Sequence, residues 1–140
     1  MKRSVLVAMM LCGSILFGCS NGVTQEALDF VDYVESLGNS NNANSSFGIV
    51  SDVHRYEYGG SLCVVFDIVG FNEKATKDLW NAIKTWKEAK DLKMVYVVRT
   101  LDQDGNVVGY ADYLGGIYYD DEEHLEELEH DMNNVWKPID

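Results

Sequence analysis

From Val5 to Phe17 the chain carries no charge and almost no polar side chain, and no acidic or basic group follows until Glu26. Coiled as a helix, such a stretch is apolar on every face, so a small domain has nowhere to bury it. It is also too short to cross a bilayer, because spanning ~30 Å of hydrocarbon takes about 20 residues. With Lys2 and Arg3 ahead of it, the segment has the pattern of a secretory leader, a short positive start and then an apolar run. The folded domain is therefore expected in the residues that follow.

Leu16, Phe17, Gly18 and Cys19 close the run. This tetrapeptide resembles the lipobox of bacterial lipoproteins: a leucine, two further residues of which the second is small, and the cysteine that is acylated as the mature N-terminus. Phe17 departs from the small or β-branched residue usual at its position. The resemblance implies a signal peptide over 1–18, lipidation of Cys19 and a short tether over 19–24. Cys12 is the weaker alternative, since bulky Leu11 precedes it. The resemblance also implies a lipid-anchored protein of the cell envelope. Ser20, directly after the cysteine, points to an outer membrane facing the periplasm if the cell has two membranes. Two or three acyl chains hold a protein durably where one does not, so attachment needs no basic patch.

Twenty-three acidic against 11 basic side chains give a formal charge of −12, which argues against a nucleic-acid partner. Losing Lys2 and Arg3 with residues 1–18 leaves about −14. A surface of that sign is repelled by anionic headgroups and attracted to cationic proteins. With Cys12 removed and Cys19 acylated, Cys63 is the remaining thiol, so no intramolecular disulfide is expected. Leu62 and Val64 flank it, which points to burial.

Ala27, Leu28, Phe30, Val31, Val34 and Leu37 recur at helical spacing, predicting a helix over 25–37 stopped by Gly38. Residues 39–46 are a polar loop. Gly59-Gly60 joins two β-rich runs, 47–58 and 61–69, into a hairpin in which Tyr58 faces Ser61, Tyr56 faces Cys63 and His54 faces Val65. Asn72 caps a second helix over 73–90, with Ala75, Leu79, Ala82, Ile83, Trp86 and Ala89 on its buried stripe. A second hairpin, 93–101 with 106–114, turns at Asp102-Gln103-Asp104-Gly105. A third helix over 121–135 buries Leu125, Leu128, Met132 and Val135. The expectation is one α+β domain over 25–140, two layers deep. A four-stranded antiparallel sheet carries its helices on one face, in the order α-ββα-ββα, and its other face is partly open.

Chemistry-bearing patterns are weak. His124, His130, Glu123, Glu126, Glu127 and Asp131 crowd the third helix, but two histidines six residues apart stand about 240° around the axis, so a solvated acidic face is the better reading. Asp102, Asp104 and Asn106 begin like a calcium loop, yet Tyr113 stands where a bidentate Glu is needed. Cys63 and His54 share a sheet face only diagonally, without a separate orienting group, although Asp52 is within loose reach. No catalytic residue, metal or cofactor is expected. The open face does collect His54, Tyr56, Tyr58, Arg99, Tyr110 and Asp112, a mixed aromatic and charged patch suited to a protein partner. The expected protein binds another protein at the envelope, as an inhibitor or exclusion factor in one version. A structural accessory subunit docking through Trp136 is one alternative, and an envelope enzyme using Cys63 and His54 is another.

Overall fold

The computed structural model of the protein describes residues 23–39 and 46–139. The leader over 1–18, Cys19 with the start of the tether, and positions 40–45 of the expected loop lie outside the described residues.

Helix α1 is Gln25–Asn39. Thr24 Oγ1 caps it by accepting from the Ala27 amide at 3.3 Å, and Ala27, Phe30, Val31 and Val34 are its buried stripe. The helix continues through Gly38 instead of stopping there. That glycine serves close packing, since a β-carbon on it would lie 2.1 Å from the Val50 carbonyl oxygen.

A 3-10 turn, Ser46–Ile49, buries Phe47 and leads into strand β1, Val50–Tyr58. Strand β2, Ser61–Val69, returns antiparallel through Gly59 and Gly60, whose φ angles are 62° and 83°, the left-handed pair a two-residue hairpin requires. The register is the one read from the sequence, with Tyr58 opposite Ser61, Tyr56 opposite Cys63 and His54 opposite Val65. It slips once between Val50 and Asp52, and at that bulge Ser51 Oγ donates to the Asp67 carbonyl at 3.1 Å.

Helix α2, Glu73–Ala89, is capped by Asn72, which accepts from the Ala75 amide. Leu79 and Ile83 are buried, with Ala82 and Trp86 packed beside them. Strand β3, Met94–Leu101, then runs parallel to β2. Strand β4, Val107–Ala111, and strand β5, Ile117–Tyr119, continue antiparallel. Helix α3 is Glu122–His130, shorter than expected because Asp131–Val135 widens into a π-helical turn. Strand β6, Lys137–Pro138, pairs with β1 at Tyr56 and Glu57.

The chain is α+β, but its finer architecture departs from the expectation. The sheet has six strands in the order β5-β4-β3-β2-β1-β6 and is mixed rather than antiparallel. The reason is α2: a strand–helix–strand crossover brings the next strand back parallel to the first. The helices occupy both faces. Helices α1 and α2 pack with Leu62, Val64, Phe66, Ile68, Met94 and Val98 on one side. On the other, Leu128 and Met132 from α3 and its π turn cover Val65, Val97 and Tyr110. Strand β2 is therefore buried without interruption from Leu62 to Ile68, as a strand covered on both faces must be. The α-ββα-ββα repeat fails for the same reason, because β5 intervenes and α3 lies opposite α2.

Candidate functional site

The α3 side of the sheet carries one lateral row of polar side chains. Pairing in register sets Tyr118 opposite Tyr110, Tyr110 opposite Arg99, Arg99 opposite Asp67, and Asp67 opposite Asp52. The row thus crosses five strands, from β5 to β1. Its most deeply buried charge is Asp67, a carboxylate only 5% exposed within the most apolar strand.

A lone buried carboxylate costs several kcal/mol unless it is paired and hydrogen-bonded. Asp67 is both. Arg99 donates from Nε to Oδ1 at 2.7 Å and from Nη2 to Oδ2 at 2.8 Å, a two-toothed grip. His54 Nε2 lies 2.7 Å from the same Oδ2 and 3.5 Å from Asp52 Oδ2. Burial alone would raise the Asp67 pKa, but the bonds from Arg99 and His54 prevail and hold it below the ordinary carboxylate value. The hydrogen bond to Asp67 is likewise the main cause that raises His54 above its ordinary 6.5, against burial and the charge of Arg99.

Asp52, His54 and Asp67 bring one ligand atom each within 4.8 Å of one another, which invites a metal reading. The site does not fit one, since both Asp67 oxygens already serve Arg99, and a guanidinium repels a second cation. The cluster is an ion-pair lock between β1, β2 and β3. Arg99 Nη1 also reaches Met132 Sδ at 3.5 Å, tying the lock to the π turn after α3.

The structure brings together some of the six expected surface residues and separates others. His54 and Arg99 meet at Asp67. Tyr56 packs against Trp136, ring centroids 5.6 Å apart, and Tyr58 ends β1 opposite Ser61. Tyr110 is buried under α3, donating its hydroxyl proton to the His124 carbonyl at 3.1 Å. Asp112 anchors the turn after β4, where its Oδ1 accepts from the amides of Leu114 and Gly116. The expected continuous open face is thus corrected, because α3 runs across it. Sequence reasoning passed over Asp67 as a site residue, although its signal was present: a single charge inside Cys63-Val64-Val65-Phe66-Asp67-Ile68-Val69 demands a buried partner.

Other sequence candidates find structural roles. Cys63 is buried, and its thiol is pushed up to about 12, first by burial and then by Asp131 and Glu57, so little thiolate exists at neutral pH. His124 stacks on Tyr118 at 3.9 Å and pairs through Nδ1 with Asp121. Asp102 Oδ1 accepts from the amides of Asp104 and Asn106, a side-chain-capped turn. Trp80 donates its indole proton to the Asp112 carbonyl.

Two aromatic-walled recesses flank these elements. One, of about 400 Å³ between α1 and α2, is walled by Phe30, Tyr33, Trp86 and Leu92, and Lys90 Nζ sits 5.0 Å above the Trp86 ring. The other, of about 280 Å³, opens between α3 and the β4–β5 turn. Tyr110, Tyr118 and Trp136 share its walls with Asp112, Glu127 and Asp131, and no lysine or arginine among the described residues lines it. Leu114 stands at this recess 77% exposed. Comparison with protein-family models, with curated proteins and with solved structures finds no match to this chain.

Proposed function

We propose that the protein is an exported lipoprotein, moored to the cell envelope through an acylated Cys19, that acts by binding a cationic protein. In a cell with two membranes it hangs from the outer membrane into the periplasm. The observation that carries the binding reading is the recess beside α3. Carboxylates and aromatic rings converge there without a lysine or arginine among the described residues, at the edge of a domain that is strongly acidic overall. Long-range attraction steers a basic partner toward such a surface, and a tether of a few residues keeps the domain near the membrane. Inhibition or exclusion of a secreted basic enzyme is one form this binding takes. A nucleophilic role for Cys63 with His54 is disfavoured, because the thiol is buried and strongly protonated and His54 is engaged with Asp67.

The test has two arms. Labelling with a fatty-acid analogue in bacterial cells should mark the wild type and not the Cys19→Ser variant. Surface-immobilised protein should bind basic proteins at rates that fall steeply with salt, whereas a salt-independent association speaks for an apolar docking subunit.

A further inference from the structure

We infer that the recess between α3 and the β4–β5 turn seats one lysine or arginine side chain of the partner, with exposed Leu114 gripping an apolar neighbour in the same segment. The inference rests on the cationic-partner reading and assigns its seat. Size comes first. At about 280 Å³ the recess stands at the small end of the range usual for ligand pockets, room enough for a single long side chain.

Charge comes second. Asp112, Glu127 and Asp131 supply three carboxylates to the lining, Asp112 while its Oδ1 holds the Leu114 and Gly116 amides, and among the described residues His124 is its one nitrogen base. That imidazole is already occupied, with Asp121 at Nδ1 and Tyr118 stacked on its ring. The field of the carboxylates is visible on neighbouring groups: Asp112 is the leading cause that raises the Tyr118 phenol, and Asp112 and Glu127 add to the effect of burial on Tyr110.

Aromatic walls come third. Tyr110, Tyr118 and Trp136 line the recess, and although His124 stacks on Tyr118 and Tyr56 packs against Trp136, the ring surface left facing the recess attracts a desolvated cation. The α1–α2 recess makes the contrast, since there Lys90 of the chain itself already covers Trp86. Leu114 adds what a free cation cannot use. It is the most exposed of the large hydrophobic side chains among the described residues, placed where a peptide entering the recess would pass.

The experiment titrates the purified full chain with a pentapeptide holding one lysine between two leucines. Its acetyl-lysine counterpart and butylammonium serve as controls, and the Trp136 indole proton is followed by NMR. The lysine peptide is expected to shift Trp136 saturably, and acetyl-lysine should not. Glu127→Gln with Asp131→Asn should weaken binding about tenfold. Leu114→Ser, an exposed change that leaves the fold alone, should weaken the peptide several-fold and leave butylammonium unchanged. Equal binding of the acetylated peptide overturns the inference. So does unchanged lysine-peptide affinity in the carboxylate variant, although that result leaves the broader cationic-partner reading standing. Butylammonium binding as tightly as the peptide overturns the partner-segment assignment. Failure of the wider reading is detected separately, by its own labelling and salt-dependence arms.

Discussion

Arg99 holds both oxygens of Asp67, at 2.7 and 2.8 Å, from directly across a parallel strand pair. The parallel register aligns the two residues, and the carboxylate is nearly sealed from water. Breaking such a pair from one side leaves the buried carboxylate with His54 as its remaining partner, and removing one member of a buried pair costs about 3–5 kcal/mol. Arg99→Met should lower unfolding free energy by that amount in a urea titration. Replacing both partners, Asp67→Leu with Arg99→Met, should recover most of the loss. A single variant as stable as wild type would show that the pair is not formed.

His54 gives a pH signature of definite sign. Its pKa is raised above 6.5 by the bond to Asp67, so the protonated imidazole favours the folded state. The stabilisation is complete below about 6.5 and is lost as pH climbs through the raised folded value. Asp67 works in the opposite sense: its pKa lies below 3.8, so its contribution is present above that value and disappears as pH falls through the depressed one. NMR titration of the imidazole should find a midpoint above 6.5. His54→Gln should flatten the fall in stability on the alkaline side, and an unshifted midpoint would contradict the lock.

Cys63 should be chemically silent. Its thiol is buried and held at about 12, so an aromatic disulfide reagent at pH 8 should react at the rate of unfolding and not at that of an exposed thiol. Rapid reaction in the native state would place the sulfur in solvent and reopen a nucleophilic role.

Helix α3 and its π turn should open before the rest of the domain. The larger core joins α1, α2 and four strands, whereas α3 is held by Leu128 and Met132 with Leu125 and Trp136 alongside. Amide exchange in α3 should therefore be faster than in β2, whose seven central residues are all buried. Equal protection in both would mean that α3 belongs to the same cooperative unit.

Local features of this fold were legible from the amino acids, and long-range ones were not. Gly59-Gly60 determined the first hairpin's register, because two left-handed residues in the turn leave one alignment for the flanking alternation. Asn72 marked the start of α2 by its side-chain oxygen alone. The continuous apolar run from Leu62 to Phe66 also announced burial on both faces, but alternation in the partner strand suggested an open one. The parallel pairing of β2 with β3 depends on how α2 crosses the sheet, and no residue pattern in β3 encodes it. Strands of three and two residues, β5 and β6, are too short to show periodicity. Of the site, His54, Arg99, Tyr110 and Asp112 were visible as a face, while the meeting of His54 and Arg99 at Asp67 and the burial of Tyr110 under α3 followed from tertiary packing.

Mooring at Cys19 is the claim on which the functional reading turns, and intact-mass analysis of the protein expressed in a bacterium and extracted from its membranes tests it most directly. The predicted result is a chain that begins at Cys19 and carries diacylglyceryl and fatty-acyl mass on that residue. A chain that retains Met1, or one cleaved elsewhere and free of acyl groups, would contradict the reading.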